Sequence, residues 1–293
     1  SANRNNFVRL WAGWEQAAGL IETADSWYWE PLPFKRTGPG NAHDGRLRFN
    51  LDSLNDAFYA RMYTYCDSLR LRGMYVAVQL FDGWSNAYPN HGFSAGNPWY
   101  YHPYNSANNA NSVNGDPNGD GSGLEVHCSP YNNGGGVLAV WNRQWKYIQK
   151  FLDTLHALEN IMWEVCNEAE GQGQYAWHRL VIDSIHAYEA RKPKQHVVWH
   201  SGDWGIVNDS LFAGPAEVVA PGAGNNGTLW QTNPPDMGGS KVVIVDTDHL
   251  WGMVSDNQVP WVWKNFCNGN SVTLQDNFCS NPAYPYWDCD NVN

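Results

Sequence analysis

Glu168 closes an apolar run, Trp163-Glu164-Val165-Cys166-Asn167-Glu168, in which the strand period of two puts Glu164, Cys166 and Glu168 on one face. A carboxyl at the rim of an apolar sheet, beside an amide side chain, can keep its proton near neutral pH and act as a general acid. A second segment, residues 241–252 (KVVIVDTDHLWG), has the same construction. Val242, Ile244, Asp246 and Asp248 share a face there, and Asp246 is the first charge after the run. Two carboxylates on different strands, facing across one pocket, are what glycoside hydrolysis needs: one protonates the leaving oxygen while the other attacks or activates water. The competing readings are structural, with Glu168 as a surface cap and Asp246 or Asp248 as a strand-ending acid or an ion-pair partner of Arg9.

The chain has 17 Trp and 15 Tyr, many in Gly/Asn-rich stretches without apolar period. Such rings suit flat amphipathic ligands such as sugars, although core filling is the alternative for any one of them. Trp14, Trp84 and Trp251 follow strand-like runs closely, and Trp99, Tyr100 and Tyr101 sit in a long loop. Asp82, His200 and His249 are placed to take sugar hydroxyls. His196 and His200 share a strand face; hydrogen-bonding roles are favoured over a metal pair because no third ligand is indicated. Asp116-Pro-Asn-Gly-Asp-Gly-Ser-Gly carries oxygen ligands at Asp116, Asn118 and Asp120 and a Gly at the sixth position, like the first half of a calcium loop. His127 stands at the twelfth position instead of Glu, so a structural calcium needs Glu125 or a distant residue to close the site; an ordinary Asn/Gly turn series is the alternative. Catalysis itself calls for no cofactor.

The elements that must position these groups alternate between strand and helix. Residues 6–11 read as a buried strand; from Leu51 the apolar spacing of Leu54, Phe58, Met62, Tyr65 and Leu69 predicts a helix stopped at Gly73. Residues 74–81 are the next strand, and residues 85–136 a long loop that its aromatic content marks as ordered and functional. A helix on Val137, Trp141, Trp145, Ile148, Leu152 and Leu155 precedes the strand at 160–168, and one on Trp177, Val181, Ile185 and Tyr188 follows it. Strands are predicted at 196–200, 217–220, 241–246 and 272–274, with a short helix from Pro260 to Gly269 before the last. Continuously apolar strands between helices are the signature of a parallel sheet covered on both faces, hence the α/β class. In a (β/α)8 TIM barrel the strand ends form the one face where active sites are built. Seven strands are countable, not eight.

At 293 residues the chain fits a single barrel domain spanning 1–293. Hydrophobics at 43% exclude low-hydrophobicity disorder, and a net charge of −11 without a Lys/Arg cluster argues against nucleic acid or an anionic membrane as partner. No apolar run approaches the length of a membrane span, and a secreted, extracellular protein with its export signal removed is the expectation. Cys66 and Cys166 read as buried thiols; pairing among Cys128, Cys267, Cys279 and Cys289 is plausible in an exported chain.

The runs Asn6-Phe-Val-Arg-Leu-Trp11 and Trp163-Glu-Val-Cys-Asn-Glu168, with a late strand ending in an acid, resemble the cellulase-like glycoside hydrolases of the clan that includes family 5. The Asp-Thr-Asp-His-Leu-Trp segment also looks like a little-characterised bacterial branch. The resemblance implies a (β/α)8 barrel, a carbohydrate substrate and retaining hydrolysis. By position it makes Glu168 the acid/base, Asn167 the ligand of the hydroxyl beside the attacked carbon, Arg9 the group that orients the nucleophile, and Asp246 the residue at the nucleophile's place. Two departures stand out. The family uses Glu where this chain has Asp246, and too few residues precede Asn6 for the family's first strand and helix, so residues 6–11 match the second strand of a trimmed or incomplete barrel. A carbohydrate-binding barrel that has lost hydrolysis is therefore the alternative function.

Overall fold

A computed structural model of the chain describes residues 6–12, 18–19, 27–28, 30–83, 86, 98–169, 173–201, 208–222, 239–246 and 259–273. The chain divides into two compact units, residues 1–198 and 199–293. In chain order the first contains β1 (Phe7–Trp11), β2 (Ala18–Gly19), β3 (Trp27–Tyr28), β4 (Phe34–Asn41), β5 (Leu47–Leu54), α1 (Asp56–Arg70), β6 (Tyr75–Asp82), α2 (Leu138–Leu155), β7 (Ile161–Asn167) and α3 (Gln174–Glu189). The second contains β8 (Val198–Ser201), α4 (Asn208–Ala213), β9 (Val218–Ala220), β10 (Val242–Asp246), α5 (Val259–Cys267) and β11 (Ser271–Thr273).

Within the first unit β1, β6 and β7 lie side by side and parallel, with Arg9 opposite Ala77 and Gln79 opposite Glu164. β6 is apolar from Val76 to Phe81 apart from Gln79, and all six residues are fully buried, as covering on both faces demands. Helix α2 supplies one cover. Its Phe151 meets Phe58, Tyr59 and Trp163 at ring distances of 5.8, 5.1 and 6.5 Å, which places α1, α2 and β7 around one aromatic core. Each such ring contributes on the order of 1.5–3 kcal/mol by burial. The Tyr147 hydroxyl, also on α2, is within 2.8 Å of the Leu80 carbonyl and 3.3 Å of the Ala12 carbonyl, which pins the helix to the ends of β6 and β1.

The second unit repeats the pattern: β8, β9, β10 and β11 run parallel in that order, with Trp199 opposite Val218, Val243 opposite Val219 and Asp246 opposite Thr273. The seven strands read from the sequence are therefore present and parallel, in sets of three and four. The closed eight-stranded barrel is not: among the described residues there is no eighth parallel strand, so the fold is α/β with a partial complement of barrel strands. No helix among the described residues is long and apolar enough to cross a membrane.

Three local expectations are corrected. Leu51 and Leu54 do not begin a helix; they end β5, which pairs antiparallel with β4, and α1 starts only at Asp56. The apolar spacing there ran on across a strand-to-helix junction. Residues 196–200 are not one strand, because β8 begins at Val198. The buried Glu189 carboxylate takes both the His196 backbone N–H at 2.7 Å and its ring Nδ1 at 2.7 Å, drawing His196 away from the strand. Finally, Cys128 and Cys267 are free thiols, not disulfide partners, while Cys66 and Cys166 are buried as expected; Cys279 and Cys289 lie outside the described residues. Burial pushes the Cys66 and Cys128 thiols up to about 12 and leaves them unreactive.

The described part of the long loop is ordered, and its asparagines explain how. Asn109 bonds the carbonyls of Pro103, Asn105 and Val113 and accepts from the Val113 and Asn111 N–H groups. Asn111 in turn accepts the Leu51 N–H, so the loop's side chains stand in for the backbone partners that irregular structure lacks and tie it to β5.

Candidate functional site

Arg9 of β1, Asp82 at the end of β6 and Asn167 at the end of β7 are joined by hydrogen bonds, and Glu168 is the next residue along the chain. Arg9 projects from the middle of β1, its Nε 2.7 Å from Oε2 of Glu164 and its Nη2 bonded to Oε1 of the same carboxylate. Glu164 is fully buried and the Arg9 side chain is 12% exposed, making a part-buried ion pair. The same Nη2 donates to Oδ1 of Asn167 at 2.9 Å, and the Asn167 Nδ2 donates to Oδ1 of Asp82 at 3.2 Å. Arg9 thus reaches two residues three apart on β7, which strict alternation would put on opposite faces; the alternation gives way where the strand ends. The next residue, Glu168, has φ 45° and is buried. A non-glycine residue in the left-handed region costs on the order of 1–2 kcal/mol, and such strain is retained where the surroundings hold the side chain in one place.

Gly83 permits this arrangement. Its backbone N–H donates to the Asn167 carbonyl at 2.7 Å, and a Cβ there would lie 2.4 Å from the Ala169 Cα and 2.8 Å from the Glu168 carbonyl oxygen. Only glycine lets the end of β6 approach the turn that carries Glu168 so closely.

In the second unit, Asp246 is the last residue of β10 and is buried at 2% exposure. His200 is fully buried in β8. Trp14, Trp84, Asp248, His249 and Trp251 lie outside the described residues. Trp99, expected as a ligand-facing ring, is instead core: it is 2% exposed and fills the space against Gly115 and Gly123, where an added Cβ would come within 2.8 and 2.3 Å of its ring. Tyr100 is exposed and lies against His43 from the β4–β5 turn, with ring centroids 3.7 Å apart and planes inclined at 36°.

The Asp116 loop closes on itself. The Asp116 carboxylate accepts the N–H groups of Gly119, Asp120 and Gly121, and Asn118 donates to Asp120 at 3.0 Å and to Glu125 at 2.5 Å. Among the described residues no group of three or more His, Cys, Asp or Glu side chains is arranged to hold a metal ion.

Two residues escaped the sequence reading. Glu164 was seen as sharing a face with Glu168, but nothing in its spacing reveals that it claims Arg9, 155 positions earlier. Gln79 is fully buried opposite Glu164, and neither end of its amide has a hydrogen-bond partner among the described residues. A polar residue inside an otherwise apolar strand was the available signal.

Parallel strands between covering helices, with acids and an amide at the strand ends, define an α/β fold of the kind glycosidases use. Residues 20–219 match the family described as Domain of unknown function (DUF6298), and the chain belongs to that family. The match includes Asp82, Asn167, Glu168 and His200, and leaves Arg9 and Asp246 outside. No curated protein matches the chain in sequence. Among solved structures it is similar to a protein of Bacteroides vulgatus assigned as a glycoside hydrolase, at 16% identity and a TM-score of 0.53, over 94% of this chain and 47% of that one. It is also similar to endo-glycoceramidase II from a Rhodococcus species in complex with a cellobiose-like isofagomine, at 12% identity and a TM-score of 0.50, over 93% of this chain and 66% of that one. Both likenesses are of fold, and the chain spans about half the length of the first and two thirds of the second.

Proposed function

We propose that the chain is a glycoside hydrolase that cleaves β-glycosidic bonds in a polysaccharide or oligosaccharide, with Glu168 as acid/base and Asp246 as its carboxylate partner. The observation that carries this reading is Glu168 itself: a buried carboxyl in a strained backbone conformation at a strand end, beside an asparagine clamped between a cation and an anion. Both similar structures being glycoside hydrolases, one by assignment, is consistent with it.

In this mechanism the Glu168 hydroxyl gives its proton to the glycosidic oxygen as the bond to the anomeric carbon breaks. The Asp246 carboxylate either attacks that carbon or takes a proton from the water that does. In the first case the Glu168 carboxylate later deprotonates the hydrolytic water and regains its proton. Asn167 holds a neighbouring hydroxyl, and the exposed Tyr100 ring offers a stacking face.

The test is incubation with glucans, mannans, xylans and aryl β-glycosides. New reducing ends are expected, falling by roughly 10²–10⁴-fold in Glu168→Gln, the scale of a lost general acid; undiminished turnover in that variant overturns the assignment. The anomer released reports the carboxyl separation, about 5–5.5 Å for retention and roughly 6.5–9.5 Å for inversion. The second reading, a non-catalytic carbohydrate-binding protein, is favoured by Asp246, one methylene shorter than the Glu of the resemblance. Binding to a glycan without new reducing ends selects it.

A further inference from the structure

The Asn167 carboxamide lies between opposite charges: its oxygen faces the Arg9 guanidinium at 2.9 Å and its nitrogen faces the Asp82 carboxylate at 3.2 Å. Turned over, it would set an NH2 group against a cation and an oxygen against an anion, so electrostatics selects one orientation. Arg9 contributes its half of that selection only while it stays in place. What commits it is Glu164, which receives both Nε and Nη2 and is itself wholly buried. A planar guanidinium held by two edges on one carboxylate is fixed in direction as well as position.

We propose that Glu164 is a positioning residue: by fixing Arg9 it sets which way the Asn167 amide points, and so presents the remaining Nδ2 proton of Asn167 to an oxygen of the ligand. The ligand group recognised is a hydroxyl or ether oxygen acting as acceptor, which rests on the carbohydrate reading above. Glu164 touches no reacting atom in this scheme and acts through two intermediaries.

The experiment is ¹⁵N NMR on the full chain, following the Asn167 carboxamide and the Arg9 Nε–H in the wild type, Glu164→Gln and Arg9→Lys. Glu164→Gln removes the charge and one acceptor; Arg9→Lys keeps the charge and loses the planar fork. Either variant is expected to displace the Asn167 carboxamide resonances. Glu164→Gln also speeds Arg9 Nε–H exchange by about tenfold or more, the scale of one lost hydrogen bond. Glu164→Asp, which keeps the charge and both acceptors on a stem one methylene shorter, is expected to displace the Asn167 signals less than Glu164→Gln. Asn167 signals that superimpose on the wild type in a folded Glu164→Gln or Arg9→Lys protein overturn the proposal.

Kinetics on an aryl β-glycoside separates this from the hydrolase reading. A kcat/KM lower by about 100-fold in Glu164→Gln, the cost of a misplaced positioning group, supports both. Displaced Asn167 signals in a protein with no turnover in any form sustain the positioning role and reject the hydrolase, whereas lowered turnover with unmoved Asn167 signals rejects the positioning role alone.

Discussion

Glu168 is the residue where backbone and chemistry conflict. Its φ of 45° is unfavourable for any side chain with a Cβ, and that cost falls at the carboxyl proposed above as the proton donor. Glu168→Gly is therefore expected to unfold at a temperature no lower than the wild type, relieving on the order of 1 kcal/mol of strain, while losing hydrolysis; a marked fall in Tm would show that the conformation is not strained. Gln79 is the converse case, a buried amide without compensation. Gln79→Met keeps length and volume and removes the unpaired groups, so urea unfolding should show stability raised by about 1 kcal/mol. Destabilisation would mean the amide has a role that the apolar surroundings conceal. At this scale the sequence made Asn167, Glu168 and Asp246 legible because each ends an apolar run. Glu164 stayed illegible because an acid within a strand acquires meaning only from what lies across from it.

Between elements, the junction of β6 and β7 is the sensitive point. Gly83→Ala would drive a methyl into the Ala169 backbone at 2.4 Å, and the turn carrying Glu168 must then shift. A loss of about 1–3 kcal/mol in denaturant unfolding is expected, typical of overpacking, together with reduced turnover. The link between α3 and β8 makes a pH prediction. Burial works against protonation of His196, but its hydrogen bond to Glu189, the Glu189 charge and the Leu158 carbonyl at 2.8 Å together raise its pKa. Both ring nitrogens face acceptors, so the folded state favours the protonated ring. Its contribution is complete below the ordinary histidine pKa and is lost as pH rises through the elevated one; Glu189→Gln should flatten that alkaline decline in urea midpoints. His127 behaves oppositely: burial, with nearby His178, lowers it to about 3, so its contribution is lost as pH falls from about 6.5 toward that value. A His127→Phe variant should lose part of the acid-side slope, and an unchanged slope would exclude His127 as its source.

For the chain as a whole, a net charge of −11 bears on which glycan the proposed hydrolase would meet. Like-charge repulsion disfavours sulfated or uronic polymers and leaves neutral ones unaffected. The chain should pass unretained through immobilised heparin at low salt, and salt-sensitive retention would contradict this. The amino-acid sequence by itself determined the α/β class, the seven apolar strands and the acids at their ends, because burial on both faces writes a continuous apolar run that any reader can find. Tertiary structure alone decided the β4–β5 hairpin, the removal of His196 from its strand and the commitment of Arg9 to Glu164. Each of these depends on which distant group is nearest in space, and spacing along a chain carries no record of that.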